Sequence, residues 1–300
     1  MTMRIFLTGA SGYLGGVLTE HFIAVGHHVS ALARSQAARD RVTGLGAEAV
    51  SGDLADTAAL RLAAERADAV VHAAADLADF AAMSELEGPA LAAMLDGLRP
   101  GSPFIYTSTG MVYRDTQGVT VDEDTPVDPE SAPQPFKVLG ERQVLAAEGP
   151  AVTVIRAGLI YGRNGSGLLQ GLIAGGRAQG VVTYIGDGAN EWSSVHVDDL
   201  ARLYVAALAQ AERRLIVNAA ARERTPMRRI VEAVADVAGA RPVSITLEQA
   251  QQTFGPFAGL LTRSSPMDPS RAERVLGWKP VEPGILDELR TGSYAAARSA

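Results

Sequence analysis

The heptapeptide Gly9-Ala10-Ser11-Gly12-Tyr13-Leu14-Gly15 constrains this chain more than any other feature, because it lies between an apolar run at residues 3–8 and a helical pattern at 13–25. A strand that feeds a helix through a glycine turn leaves the first N–H groups of the helix without partners, and the helix dipole favours an anion there. In that setting Gly9 permits the tight turn, Gly12 lets a phosphate approach the backbone, and Gly15 lets the helix pack closely on the sheet. The context predicts a dinucleotide pyrophosphate at this turn rather than a glycine turn of no chemical purpose. The expected contacts are Gly9, Ser11, Gly12, Tyr13, Leu14 and Gly15.

Downstream the same unit recurs. Short apolar runs at 28–33, 47–51, 69–73 and 104–108 alternate with helical patterns that begin at Ser35, span 57–65 behind a capping Asp56, and span 84–98. Continuous apolar strands suit burial on both faces, and right-handed crossovers between them build an open parallel sheet. The expected fold class is α/β, a Rossmann-type doubly wound parallel sheet with a smaller mixed C-terminal substrate lobe. After Tyr113 the rhythm breaks at a Pro-rich stretch, 115–135, before a helix at 136–147, a strand at 152–156 and glycine-dominated turns over 162–188. A helix at 198–209, a strand at 215–218, a helix at 226–239 capped by Thr225, a strand at 243–246 and a short helix at 269–276 closed by Gly277 complete the pattern. Residues 1–160 are expected to bind the cofactor and 161–300 to form the lobe, with part of 192–220 returning to the sheet.

Composition narrows the chemistry. Cysteine is absent, which excludes disulfides, thiolate nucleophiles and cysteine-based metal sites, and five histidines are too scattered to suggest a metal cluster. With 300 residues, 47% hydrophobic and 20% charged, the chain has ample apolar material for a core. A formal charge of −7 lacks the basic footprint of a nucleic-acid or anionic-membrane binder. The opening MTMRIFLTGASG enters a strand with no signal core, and no apolar run approaches the ~20 residues of a membrane span. The expectation is a cytoplasmic monomer or homodimer with neither nucleic acid nor membrane as partner.

The end of the second strand bears on the cofactor. Leu32-Ala33-Arg34-Ser35 carries no acid to accept from a ribose, but offers a guanidinium that could pair with a ribose 2′-phosphate. NADPH/NADP+ is therefore expected, on Arg34 and Ser35, although Ser35 equally suits a helix N-cap and Arg39 reads as a solvated side chain farther along. Asp53 in Gly52-Asp53-Leu54 could accept from an adenine amino group or simply close an Asx turn. Ala73, Ala74 and Ala75 offer little bulk beside a cofactor, and His72 reads more readily as a satisfied core residue than as a ligand.

TGASGYLG at 8–15, GDL at 52–54, VHAAA at 71–75, YTSTGMVY at 106–113, RAGLIYG at 156–162, HVDDLAR at 196–202 and LGWKP at 276–280 resemble, in order and spacing, the extended short-chain dehydrogenases/reductases of the NAD(P)-dependent epimerase/dehydratase type. That resemblance implies a Ser or Thr hydroxyl on the substrate oxygen, a proton-donating Tyr, and a Lys four residues later on the nicotinamide ribose. It puts the hydroxyl on Thr109, with Ser108 beside it, and the ammonium on Lys137, but the tyrosine position falls on Pro133. Proline cannot donate a proton, which leaves Tyr113, Tyr161, a water on Thr109 or the substrate itself. The resemblance also makes His196 a structural residue near the cleft and Asp198-Asp199 a helix start.

Many nucleotide-sugar members carry an arginine near the position of Trp192, where this chain offers a flat apolar surface or a lobe-core tryptophan. The missing tyrosine and the alanine- and arginine-rich composition are similar to tailoring ketoreductases of antibiotic pathways, angucyclinone ketoreductases in particular. The expected function is an NADPH-dependent ketoreductase acting on a hydrophobic, aromatic polyketide-like ketone, with Tyr113, Tyr161 and Trp192 toward the substrate. The alternatives are a nucleotide-sugar epimerase/dehydratase and a silent NADP(H)-binding regulator.

Overall fold

A computed structural model describes residues 2–75, 80–210, 214–255 and 258–296. The first half alternates β1 (Arg4–Thr8), α1 (Tyr13–Ala24), β2 (His28–Ala33), α2 (Gln36–Gly44), β3 (Glu48–Ser51), α3 (Thr57–Glu65), β4 (Ala69–His72), α4 (Phe80–Gly97), β5 (Pro103–Thr109), α5 (Pro135–Ala146) and β6 (Ala151–Ala157). Local signals set the helix starts: the side chains of Ser35 and Asp56 accept from Ala38 N and Ala59 N at 3.2 and 3.0 Å, capping α2 and α3. Beyond β6 follow β7 (Leu159–Tyr161), α6 (Gly167–Gln179), β8 (Val181–Ile185), β9 (Ser194–His196), α7 (Val197–Leu208) and β10 (Arg214–Ala219). The chain continues through α8 (Met227–Ala238), β11 (Arg241–Ile245), α9 (Leu247–Phe254), α10 (Ala258–Leu261), α11 (Ser270–Leu276), α12 (Ile285–Thr291) and α13 (Ser293–Ala296).

Seven strands form one sheet in the order β10-β6-β5-β4-β1-β2-β3, with every neighbouring pair parallel. β1, β4 and β6 are buried almost along their length, which explains their unbroken apolar character. One face buries Ile5, Leu7, Val71 and Ile155 with Leu18, Phe22 and Leu203; the other buries Phe6, Val70 and Phe104 with Leu60, Leu91 and Met94. β2 and β3 extend to one side of β1 while β4 and β5 extend to the other, so the switch in strand order opens a crevice between the carboxyl ends of β1 and β4. The molecule is thus a doubly wound parallel sheet with a smaller mixed lobe, whose two-stranded pairs are β8–β11 and β7–β9.

Two local expectations change. The α8 N-cap is Pro226, not Thr225, because the proline precedes the first helical residue rather than occupying it; the buried Thr225 hydroxyl has no hydrogen-bond partner. The glycine-dominated stretch contains α6 and β8. A Cβ on Gly176 would stand 2.6 Å from Val182 Cγ2 and 2.9 Å from Ala238 Cβ, so its glycine serves close packing against β8 and α8 rather than a turn. No helix among the described residues is long and apolar enough to cross a membrane.

Candidate functional site

The crevice between β1 and β4 begins at Gly9, whose φ is +79° and where a Cβ would stand 2.7 Å from the Ala73 and Ala74 backbone. A Cβ on Gly15 would lie 2.1 Å from Gly9 O, so the first turn of α1 is seated directly on the glycine turn. Gly12 is the N-cap of α1 and has no capping side chain, and the first helical turn carries no acid. Such an end suits an anion such as a pyrophosphate. Ser11, Tyr13 and Leu14 are half-buried around it, Ala73 and Ala74 line the facing turn half-buried, and Ala75 is exposed. The residues present fit a dinucleotide on steric and electrostatic grounds.

Tyr13 also reaches across to the lobe. Its hydroxyl donates to Gly162 O at 2.7 Å, and its ring fills the space where a Cβ on Gly165 would stand, 2.0 Å from Cε2. Tyr294 on α13 closes the same loop: Gly162 N donates to its hydroxyl at 3.0 Å, and the hydroxyl donates to Gly165 O at 2.8 Å. Arg163, Asn164 and Ser166 all hold positive φ within this loop, a conformation that needs such external support. Sequence reasoning missed Tyr294, which no motif distinguishes from an ordinary helix residue.

At the end of β2, Arg34 is exposed and Ser35 is committed to capping α2. Asp53 is exposed, and its Oδ1 accepts from Ala55 N and Asp56 N at 2.9 and 3.2 Å, forming an Asx turn; Leu54 beside it is half-buried. His72 is fully buried and satisfied: Nδ1 is 2.8 Å from Thr8 Oγ1, and Nε2 is 3.4 Å from Glu87 Oε2.

Thr109 ends β5 and is half-buried, with its Oγ1 accepting from Met111 N at 3.1 Å; its proton remains to be donated. Ser108 points inward and donates to Glu141 Oε1 at 2.5 Å. α5 starts at Pro135 after the N-cap Gln134, so Pro133 lies outside the helix and shares no face with Lys137. Lys137 is 4% exposed and donates to Glu87 Oε1 at 2.7 Å, with its ammonium 4.7 Å from the Tyr106 ring centroid. The Tyr106 hydroxyl donates to the same oxygen at 2.6 Å. Burial alone pushes the Glu87 carboxyl up, but Lys137 and His72 outweigh it and hold the group well below the usual carboxylate range. Glu87 was not read from the sequence, where nothing sets it apart from Glu85 and Asp96 on the same helix.

One turn along α5, Glu141 accepts from Arg156 Nη2 at 2.6 Å and Nε at 3.0 Å, forming a second buried pair. Arg156 Nη1 donates to the Tyr113 hydroxyl at 2.8 Å, which lies 2.8 Å from Asn218 Oδ1 and 3.0 Å from Asp122 O. Burial pushes the Tyr113 phenol up to about 12, although Arg156 and Asn218 pull it down. The Tyr161 hydroxyl donates to Pro283 O at 2.8 Å, and burial raises it further. Both hydroxyls are thus committed to protein partners inside the molecule. His196 caps α7, and Asp198 and Asp199 lie in its first turn.

Trp192 is half-buried, donates from Nε1 to Arg263 O at 2.9 Å and packs against the lobe core. Its cavity, about 220 Å³, is edged by Arg222, Arg224, Glu191 and Asp268 as well as Met267 and Pro266. Among the described residues no group of three or more His, Asp or Glu side chains is arranged to hold a metal ion.

Residues 5–220 match the NAD dependent epimerase/dehydratase family. The chain is 27% identical to an uncharacterised protein of Saccharomyces cerevisiae over 96% of its own length and 98% of the relative's. It is 30% identical to a 2-alkyl-3-oxoalkanoate reductase of Stenotrophomonas maltophilia over 66% of its length and 63% of that protein's. Its fold matches the UDP-glucuronic acid 4-epimerase of Bacillus cereus, solved with UDP-glucuronic acid and NAD, at a TM-score of 0.77 and 20% identity, covering 99% of this chain and 100% of that one. The expected hydrophobic aromatic ketone is overturned: the bound partner in that structure is a nucleotide sugar, and the cavity at Trp192 is edged with charge. The narrower expectation of an angucyclinone-type polyketide falls with it.

Proposed function

Because this chain belongs to the NAD dependent epimerase/dehydratase family, we propose that it is an NADP-preferring oxidoreductase interconverting a carbonyl and an alcohol on a small polar substrate. The observation that carries this reading is the convergence of three groups at the carboxyl edge of one parallel sheet. These are the uncapped end of α1, the exposed Arg34 after β2, and the half-buried Thr109 hydroxyl at the end of β5. In this assignment Gly9, Ser11, Gly12, Tyr13, Leu14 and Gly15 hold the pyrophosphate. Asp53 and Leu54 flank the adenine, Arg34 and Ser35 face the 2′-phosphate, and Ala73, Ala74 and Ala75 lie along the cofactor. Lys137 donates one N–H to Glu87 and has two left, one of which we assign to the nicotinamide ribose.

A bound nicotinamide supplies or accepts the hydride. The chain's own contribution is electrostatic: Thr109 donates to the substrate oxygen as negative charge develops on it. With proline at 133, the proton that neutralises that oxygen comes from water, and a hydroxyl on the neighbouring substrate carbon donates a hydrogen bond to it as the charge develops. A hydroxylated polar substrate supplies such a group by its own structure.

The test pairs cofactor titration with single-turnover reduction of an α-hydroxy ketone and its O-methyl ether. NADPH binding tighter than NADH, with the hydroxy ketone reduced faster, is the expected result; equal affinities and equal rates overturn the reading. A second reading, epimerisation of a nucleotide sugar, is favoured by Arg222 and Arg224 at the cavity edge. Turnover of UDP-glucuronic acid without reduction of the ketone would establish it instead.

A further inference from the structure

Arg39 does not behave as the solvated side chain that its place on α2 suggests. It is half-buried, and its Nη1 donates to Ser51 Oγ at 2.7 Å, while its Nε is buried with no hydrogen-bond partner. Ser51 ends β3 and lies in register with Ala33 at the end of β2, so this contact draws the guanidinium over the carboxyl ends of both strands. Ser35 and Arg39 are one helical turn apart, and helical side chains lean toward the N-terminus, which carries Arg39 back toward Arg34. The adjacent Asp40 is engaged by Gln36, which donates to its Oδ1 at 2.6 Å. Among the described residues no carboxylate forms an ion pair with Arg34 or Arg39.

A guanidinium carries five donors in a planar fork suited to phosphate, and a buried donor left without an acceptor is costly. An orphaned Nε on a guanidinium held at the carboxyl end of β3, with a second arginine free of ion pairs at the end of β2, therefore marks a place suited to an anion. We propose that Arg39, oriented by Ser51, is the second cation of a phosphate-monoester receptor shared with Arg34 and Ser35, and that it discriminates a 2′-phosphorylated dinucleotide from its unphosphorylated counterpart. This proposal rests on the cofactor reading above and adds a specificity-determining residue to it. Arg34 supplies an exposed charge, whereas Arg39 supplies one pre-oriented by its bond to Ser51.

The experiment compares binding of 2′,5′-ADP and 5′-AMP to the full chain by calorimetry. Wild type should bind 2′,5′-ADP more tightly. Arg39→Ala should weaken 2′,5′-ADP by roughly 10- to 100-fold, the usual loss of a charge-assisted contact, and leave 5′-AMP within about twofold. Arg39→Lys, which keeps the charge but not the fork, should fall between. Ser51→Ala should lose a smaller share of the same preference, and it provides an independent reading if Arg39→Ala folds poorly. Equal loss of both ligands in Arg39→Ala would make Arg39 a merely structural residue and overturn the proposal. If wild type prefers 2′,5′-ADP and only Arg34→Ala removes that preference, the role of Arg39 fails while the cofactor reading stands. If wild type binds both ligands equally, both fail.

Discussion

Lys137 Nζ on α5 lies 2.7 Å from Glu87 Oε1 on α4, and the two side chains are only 5% and 2% exposed. Breaking such a pair leaves one uncompensated charge in the interior, which typically costs about 3–5 kcal/mol. Glu87→Gln and Lys137→Met should each lower stability by that order, read as a reduced midpoint in urea. The double variant should recover a substantial part of the loss, because neither charge is then stranded. Additive losses in the double-mutant cycle would mean that the pair is not coupled.

The same carboxylate sets a pH dependence. Its folded-state pKa is depressed, so its contribution is fully present above the ordinary carboxylate value of 4.5 and is lost as pH falls toward the lower folded value. Stability of the wild type should therefore decline below about pH 4.5 more steeply than that of Glu87→Gln. Asp68 and Asp198 are also depressed by their cationic partners, so the difference between the two curves, rather than the wild-type curve alone, isolates Glu87.

Thr109→Val keeps the shape of the side chain and removes the hydroxyl. Loss of a donor aimed at developing negative charge typically reduces kcat by about 10²–10³. Cofactor affinity should not change, because the hydroxyl is assigned to the substrate oxygen. A parallel loss of cofactor binding would place Thr109 in the cofactor contact instead.

Tyr113→Phe separates a structural phenol from a proton donor. The hydroxyl accepts from Arg156 and lies against Asn218 and Asp122, so its removal should destabilise the fold by about 1–3 kcal/mol. Turnover per folded molecule should persist, with no loss of the activity's pH profile on the alkaline side. A large drop in kcat with an intact melting transition would return Tyr113 to the list of acids.

The parallel sheet was legible because its central strands are buried on both faces and read as short unbroken apolar runs, each followed by helical spacing. The glycine turn between β1 and α1 was legible because Gly9, Gly12 and Gly15 fall where close approach demands them. α6 was hidden by the glycines that let it pack on α8, since glycine at a packed helix surface and glycine in a turn look alike in sequence. Thr225 was mistaken for a cap because a Thr-Pro pair suits a helix start at either residue. Glu87 was invisible for a different reason: its meaning depends on Lys137, His72 and Tyr106, which the sheet brings together from three other elements. Arg39 was misjudged for the same cause, since its partner Ser51 lies on another strand.

The loop held between Tyr13 and Tyr294 has a consequence for how the protein is made. The glycine turn is synthesised well before the phenol that ties Gly162 and Gly165 into place, which belongs to α13. At ordinary synthesis rates of about 5–20 residues per second, the turn waits tens of seconds for that tie. A nascent chain therefore carries the glycine turn of α1 without the Tyr294 ties to Gly162 and Gly165 until α13 has been made.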